Sequence, residues 1–111
     1  MLSHFQIEAN GEIGAGVLRL HGELDLASSV LLAEELEKLS AVELVIVDLS
    51  ELDFIDSSGI GVLVKAHQTR NGQGRRFALV GGTGQVAQMV ELTGLAEQLT
   101  VVDTVAELLD G

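Results

Sequence analysis

The sequence predicts one α/β domain over residues 1–111, with a mixed β-sheet of four to five strands and about four α-helices. Three observations lead to this fold class. A chain of 111 residues has the size of one compact domain. From residue 43 onward, strand-like and helix-like segments alternate, which predicts parallel strands joined by right-handed crossovers. Two strand-like segments precede them, and the glycine-rich loop between the two predicts an antiparallel hairpin.

The predicted hairpin comes first. Segments 4–9 and 15–22 alternate apolar and polar side chains, the pattern of half-buried strands. The loop "NGEIGAG" between them is rich in glycine, so its backbone can reverse direction sharply. A strand pair that opens the chain follows from these three segments.

The segment 30–40 is predicted to be the first helix, because its leucines recur at i, i+4 and i+7 and so lie on one face. Asp25 or Ser28 is predicted to cap it. Either side chain can accept a hydrogen bond from the free N–H groups of the first turn. The sequence leaves the choice between these two caps open.

A central strand and a second helix are predicted next. The stretch 43–50 is apolar and β-branched without strong alternation, which is typical of a strand covered on both faces. The following stretch, "FIDSSGIGVLVKAHQTRNG", has its apolar residues at helical spacing and includes Ile60 and Leu63. The pair "NG" at its end is predicted to stop this helix.

The last third of the chain repeats the strand-then-helix order. "RRFALVGG" is predicted to be a strand and "GQVAQMVELTG" a short helix that Gly94 ends. "LTVVDT" and "VAELLDG" then give one more strand and one more helix.

Composition narrows the choice of partners and compartment. The net charge of -11 repels a phosphate backbone, so neither nucleic acid nor a membrane surface is predicted as a partner. Such a surface favours protein partners with basic faces, and solubility alone is the alternative explanation. The chain has no cysteine, no signal-peptide pattern and no apolar run of about 18 residues, which predicts a protein of the cytoplasm.

The sequence gives little support for catalysis. The three histidines lie far apart and none has the spacing of metal ligands. The glycine clusters match no nucleotide-binding motif. Four carboxylates could form pairs in the fold, but no general acid or base partner is visible: Glu23, Asp25, Asp53 and Asp56. We therefore predict no enzyme, no catalytic residue, no metal site and no cofactor.

The segment Asp56-Ser57-Ser58-Gly59 stands out because the helix start determines where its side chains lie. With Asp56 as the N-cap, its carboxylate accepts from the N–H of Ser58 or Gly59. Ser57 is then the first helical residue, and its hydroxyl is exposed at the positive end of the helix dipole. On spacing alone, a helix start without further function is the simpler interpretation.

Gly59 and Gly61 flank Ile60 in the first turns of this helix. Each glycine is expected to cost about 1 kcal/mol of helix stability relative to alanine. Something other than helix stability must favour them. We predict that Gly59 and Gly61 leave room for the backbone of a partner protein.

Three segments together resemble the STAS domain family, and specifically the bacterial anti-sigma factor antagonists. They are "GELD" at 22–25, "IVDLSELDFIDSSGIGVLVKA" at 46–66 and "MVELTGLAEQLTVVDTVAELL" at 89–109. The middle segment is the most specific of the three. The resemblance implies a single STAS domain over the whole chain.

The resemblance also implies a regulatory switch. Such an antagonist binds an anti-sigma factor that is also a serine kinase, which releases a sigma factor; the kinase phosphorylates the antagonist, and a serine phosphatase restores it. The family's acceptor follows the signature aspartate, and that position is Ser57 here. The resemblance implies Asp25 and Asp56 as the acidic positions that flank the acceptor and Ser58 as a secondary hydroxyl. Together with Gly59, Ile60 and Gly61 of the same helix start, they are the predicted partner-binding residues. A STAS subunit that binds a protein or small ligand constitutively, without a switch, is the alternative.

Overall fold

The computed structural model describes residues 5–12 and 14–109. The strands are β1 (Gln6–Glu12), β2 (Ala15–Leu24), β3 (Leu44–Asp48), β4 (Leu52–Ile55), β5 (Arg76–Val80) and β6 (Thr100–Val102). The helices are α1 (Leu26–Lys38), α2 (Ser57–Gly72), α3 (Gly84–Leu92), α4 (Leu95–Gln98) and α5 (Ala106–Leu109). His4, Asp110 and Gly111, which belong to predicted elements, lie outside the described residues.

The strands form one mixed sheet in the order β1-β2-β3-β5-β6. β1 is antiparallel to β2, as the predicted hairpin requires, and the other strand pairs are parallel. β2 is long enough to pair twice. Its first part lies beside β3 and its last residues, Gly22 to Leu24, lie beside β4. The α/β class with a mixed sheet is therefore confirmed.

The described residues contain six strands and five helices, against the predicted four to five strands and about four helices. The additional strand β4 has only four residues, and two of them, Asp53 and Phe54, are exposed, so its sequence lacks a clear strand pattern. Phe54 and Ile55, which precede the predicted cap Asp56, belong to this strand. The additional helix α4 is equally short.

The second helix also ends later than predicted. Asn71 and Gly72 belong to its last turn rather than stopping it. The chain leaves the helix at Gln73, and Gly74 follows with a φ of 71°, a conformation that favours glycine. Arg70 in the last turn is buried, and its guanidinium donates hydrogen bonds to three main-chain carbonyls: those of Leu39, Val42 and Arg76.

The main core lies between one face of the sheet and helices α1 to α4. Alternate residues of β3 point to opposite faces, so Val45 and Val47 contact this core while Leu44 and Ile46 contact a smaller cluster on the other face. Leu108 of α5 is partly buried and packs against that smaller cluster. All five residues of β3 are buried, which confirms the predicted central strand.

Within residues 5–12 and 14–109, none of the helices has the length and apolar character that crossing a membrane requires.

Candidate functional site

Two helix N-termini lie side by side at the carboxyl edge of the sheet. α1 begins after β2, and α2 begins after β4. Leu24 and Ile55, the last residues of those two strands, are paired in the parallel ladder. The carboxyl edge of parallel strands is where α/β proteins commonly place their functional groups.

Asp56 caps α2 as predicted. One of its carboxylate oxygens, Oδ1, accepts from the N–H of Ser58 over 2.9 Å and from the N–H of Gly59 over 3.2 Å. Ser57 is the first residue of the helix and is exposed. Its hydroxyl group therefore lies at the positively polarised end of α2, open to solvent.

Asp25 caps α1, and Ser28 is its partner in a capping box. Asp25 Oδ1 accepts from the N–H of Ser28 over 3.1 Å, and Ser28 Oγ accepts from the N–H of Asp25 over 2.8 Å. The hydrogen bonds from the main chain and hydroxyl of Ser28 hold the pKa of the Asp25 carboxyl below its usual range. Asp25 thus keeps a negative charge at this edge of the sheet.

Gly59 has a different role from the one predicted. A Cβ at this position would lie 2.8 Å from Ile55 Cγ1 and 2.8 Å from Leu24 Cγ, which is closer than such atoms approach in proteins. The space beside Gly59 is therefore filled by the protein's own side chains, and the prediction that this glycine leaves room for a partner is wrong. Ile60 beside it is only 8% exposed and belongs to the core.

Gly61 does border open space. Beyond the adjacent residues and the backbone of its own helix, no atom of the described residues lies within 4 Å of a Cβ built at Gly61. Gly61 forms part of a shallow groove between α1 and α2, which we call the α1/α2 groove. Its lining residues are Leu26, Ser29, Val30, Ala33, Ser58, Gly61, Val62 and Lys65.

The α1/α2 groove exposes apolar side chains that are not among the predicted partner-binding residues. Leu26 is 73% exposed and Val30 is 56% exposed. They occur at i and i+4 on α1, so they share one helix face, and this face is not the one that carries Leu32 into the core. The spacing of Leu26 and Val30 is the sequence pattern that could have indicated this exposed apolar face. Exposed apolar side chains grouped in this way are typical of an interaction surface.

The four carboxylates considered for catalysis all lie near these strand ends. Glu23 and Asp53 are exposed, and Asp25 and Asp56 are half-buried as helix caps. In the part of the chain that the structure describes, no three His, Asp or Glu side chains are grouped so that they could hold a metal ion. These acidic side chains give the surface around Ser57 a negative charge.

Comparisons with known proteins identify the family of this chain. The model of the STAS domain family matches residues 4–108. A curated relative, the anti-sigma F factor antagonist of Paenibacillus polymyxa, is 27% identical over 103 residues, which cover 90% of this chain and 88% of the relative.

Solved structures give the same result. The anti-sigma factor antagonist SpoIIAA in its unphosphorylated form is 26% identical, with a TM-score of 0.78 over 96% of this chain and 93% of its own. The Bacillus cell fate determinant SpoIIAA in its phosphorylated form is 25% identical, with a TM-score of 0.71 over 96% of both chains. Because the family model matches nearly the whole chain and the fold is shared, the chain belongs to the STAS domain family.

Proposed function

We propose that this protein is an anti-sigma factor antagonist whose binding to an anti-sigma factor with serine kinase activity releases a sigma factor, and that phosphorylation of Ser57 switches this binding off. The observation that carries the proposal is the exposed Ser57 hydroxyl at the start of α2, next to an exposed apolar groove. The names of the relatives support the class of partner, and the phosphorylated form of SpoIIAA supports the modification.

The proposed partner surface combines apolar contact with negative charge. Leu26 and Val30 supply exposed apolar area in the α1/α2 groove. Asp25 and Asp56 add negative charge at the adjacent helix starts. A partner with an apolar ridge and a basic rim fits this surface, because complementary potentials speed association and fix orientation.

In the proposed reaction this chain is the acceptor and the kinase is the catalyst. The Oγ of Ser57 attacks the γ-phosphorus of ATP bound to the kinase, a new O–P bond forms, and the bond from the γ-phosphorus to the bridging oxygen of ADP breaks. The hydroxyl proton passes to a base of the kinase. A serine phosphatase, the second partner, hydrolyses the phosphate and restores the hydroxyl.

Phosphorylation is expected to change binding without unfolding the protein. The phosphate adds about -1.5 to -2 charge beside Asp56, while the dipole of α2 offsets about 0.3 to 1 kcal/mol of the repulsion. In the bound state, burying a phosphate that has no cationic partner costs several kcal/mol. A loss of about 3 kcal/mol weakens binding roughly 150-fold.

The proposal places the protein in the cytoplasm and needs no cofactor, metal, nucleic acid or membrane surface. Mass spectrometry of the protein purified from its native cells tests it, and we expect one phosphate, located on Ser57. Recombinant protein incubated with ATP and an extract of those cells gives a second test. Ser57→Ala should abolish phosphate incorporation, and the matched control Ser58→Ala should retain it.

Two outcomes contradict the proposal. Phosphate on Ser58 in the wild type would contradict the assignment of the acceptor. Equal binding of Ser57→Ala and Ser57→Asp to the anti-sigma factor would instead support a STAS subunit that binds its partner constitutively.

A further inference from the structure

β4, the strand that leads to Ser57, has one edge whose main-chain groups need hydrogen-bond partners. β4 has four residues and pairs with β2 on one side. On its other side, no strand of the described residues pairs with it, and α3 packs against it. Ile55, its last residue, is fully buried. Buried main-chain groups without partners are strongly unfavourable, so the N–H and C=O of Ile55 need partners from outside the sheet.

Gln85, the second residue of α3, supplies both partners. Its Oε1 accepts from the N–H of Ile55 over 3.0 Å, and its Nε2 donates to the carbonyl of Ile55 over 2.8 Å. A primary amide carries a donor and an acceptor side by side, as the edge of a strand does. The side chain of Gln85 therefore takes the place of a neighbouring strand at this residue.

The chain is held from both sides just before Ser57. The N–H of Ile55 points to Gln85, and the next N–H, that of Asp56, points the opposite way and donates to the carbonyl of Leu24 over 3.1 Å. Asp56 then caps α2 with its side chain. The direction in which the chain enters α2 is thus determined by contacts with both α3 and β2.

The backbone that carries Gln85 is held in place by the packing of the loop before α3. Gly82 lies in the loop before α3, and a Cβ there would lie 2.6 Å from Val86 Cγ1 and 3.0 Å from the carbonyl oxygen of Leu49. The loop therefore packs directly against the main chain that follows β3. Val86, the residue after Gln85, is fully buried. The start of α3 is consequently anchored in the core.

From this geometry we propose that Gln85 is a positioning residue for the phosphorylation of Ser57. By holding Ile55 against α3, it determines where the Oγ of Ser57 lies when the kinase is bound. The inference rests on the proposed function, since it takes Ser57 as the acceptor. Phosphoryl transfer requires close alignment of the attacking oxygen, and a displacement of about 1 Å can lower the rate about 100-fold.

Three variants test this role. Gln85→Ala removes both hydrogen bonds to Ile55. Gln85→Glu keeps an acceptor for the N–H of Ile55 but loses the donor to its carbonyl. Gln88→Ala is the matched control, because it changes the same type of residue on the same helix at an exposed position. Circular dichroism at the assay temperature confirms that each variant is folded.

Phosphorylation kinetics are measured with ATP and a fixed amount of extract from the native cells, with the protein concentration varied. We expect kcat for Gln85→Ala to fall at least about tenfold, as the loss of two partly buried hydrogen bonds suggests. KM should change less than about twofold, because Gln85 does not line the α1/α2 groove that we assign to binding. Gln85→Glu should be intermediate, and Gln88→Ala should match the wild type.

Amide hydrogen exchange measures the positioning separately from the kinase. In Gln85→Ala, the N–H of Ile55 should exchange at least about tenfold faster, while amides in the centre of β3 should keep their wild-type rates.

Three results overturn the inference. A phosphorylated wild type together with an unchanged kcat for Gln85→Ala overturns the positioning role alone. An unchanged exchange rate at Ile55 also does so. A wild type that takes no phosphate on Ser57 overturns the proposed function and, with it, this inference.

Discussion

The carbonyl oxygen of Leu24 accepts a hydrogen bond from the main-chain N–H of Asp56 over 3.1 Å. Leu24 is the last residue of β2, directly before the cap of α1, and Asp56 is the cap of α2. This bond joins the starts of two helices that are far apart in the sequence. It explains why Asp25 and Ser57 lie on the same edge of the sheet, where a single partner protein can contact both.

Gly59→Ala should destabilise the protein, because the added methyl group has no room between Leu24 and Ile55. Overpacking of this kind costs about 1 to 3 kcal/mol, and the better helix propensity of alanine returns about 1 kcal/mol. We expect the free energy of unfolding, measured with urea, to fall by about 1 kcal/mol and by no more than about 2 kcal/mol. A variant as stable as the wild type would show that the neighbouring side chains can shift at little cost.

Gly61→Ala should have the opposite effect on stability. The added methyl group meets no atom within 4 Å beyond its own stretch of helix, so alanine should stabilise α2 by about 0.5 to 1 kcal/mol. The same methyl group reduces the depth of the α1/α2 groove. Binding to the anti-sigma factor, measured by calorimetry, should therefore weaken at least about fivefold, which corresponds to about 1 kcal/mol. Unchanged affinity would exclude this part of the groove from the interface.

Leu26→Ser tests whether the apolar part of the groove binds the partner. Leu26 is 73% exposed, so its replacement should change stability by less than about 0.5 kcal/mol. We expect affinity for the anti-sigma factor to fall about tenfold or more, as it does for apolar side chains at the centre of an interface. Leu92→Ser is the matched control, because Leu92 is 80% exposed but lies on α3, outside the groove. Equal losses in the two variants would argue against a specific role of the groove.

Asp56→Ala should lower the free energy of unfolding by about 1 kcal/mol, the usual cost of losing an N-cap side chain. Asp56→Asn should retain most of the stability, because its amide oxygen can still accept from Ser58 and Gly59. Thermal or urea unfolding of the two variants makes this comparison. Asp53→Ala, at an exposed carboxylate on β4, is the control and should stay within about 0.5 kcal/mol of the wild type.

The ion pair of Asp48 and Arg19 predicts a loss of stability in acid. Burial raises the pKa of Asp48, but hydrogen bonds from Ser50 and the bond of 3.0 Å from Arg19 Nε outweigh burial, so the pKa lies below its usual range. A lowered pKa in the folded state contributes stability that is fully present above the unfolded pKa of about 3.9. That contribution is lost as the pH falls through the folded value.

Urea unfolding between about pH 6 and pH 2 measures this effect, with the unfolded pKa of about 3.9 inside the range. The wild type should lose stability below about pH 4, and Asp48→Asn should lose less over the same interval. The variant should keep some acid sensitivity, because the pKa of Asp25 is lowered as well. Identical slopes for the two proteins would show that the Asp48 carboxylate does not contribute.

Much of the fold could be predicted from the sequence because its main elements have strong local patterns. The hairpin, the buried β3 and the helices α1 and α2 are each indicated by the spacing of apolar side chains. β4 was missed for a physical reason. It is short and half-exposed, and it is a strand because β2 continues past β3 and offers it a partner.

The sequence by itself determined the local chemistry at the start of α2. Asp56 caps the helix and Ser57 is exposed at its first position, because a cap bonds N–H groups only two or three residues further along the chain. The tertiary structure decided which surfaces surround that hydroxyl. It brought Asp25 to the same edge of the sheet as Ser57, placed Gly59 in the core and connected Gln85 to Ile55. These contacts depend on the pairing of β2 with β4 and on the packing of α3, which no local pattern in the sequence encodes.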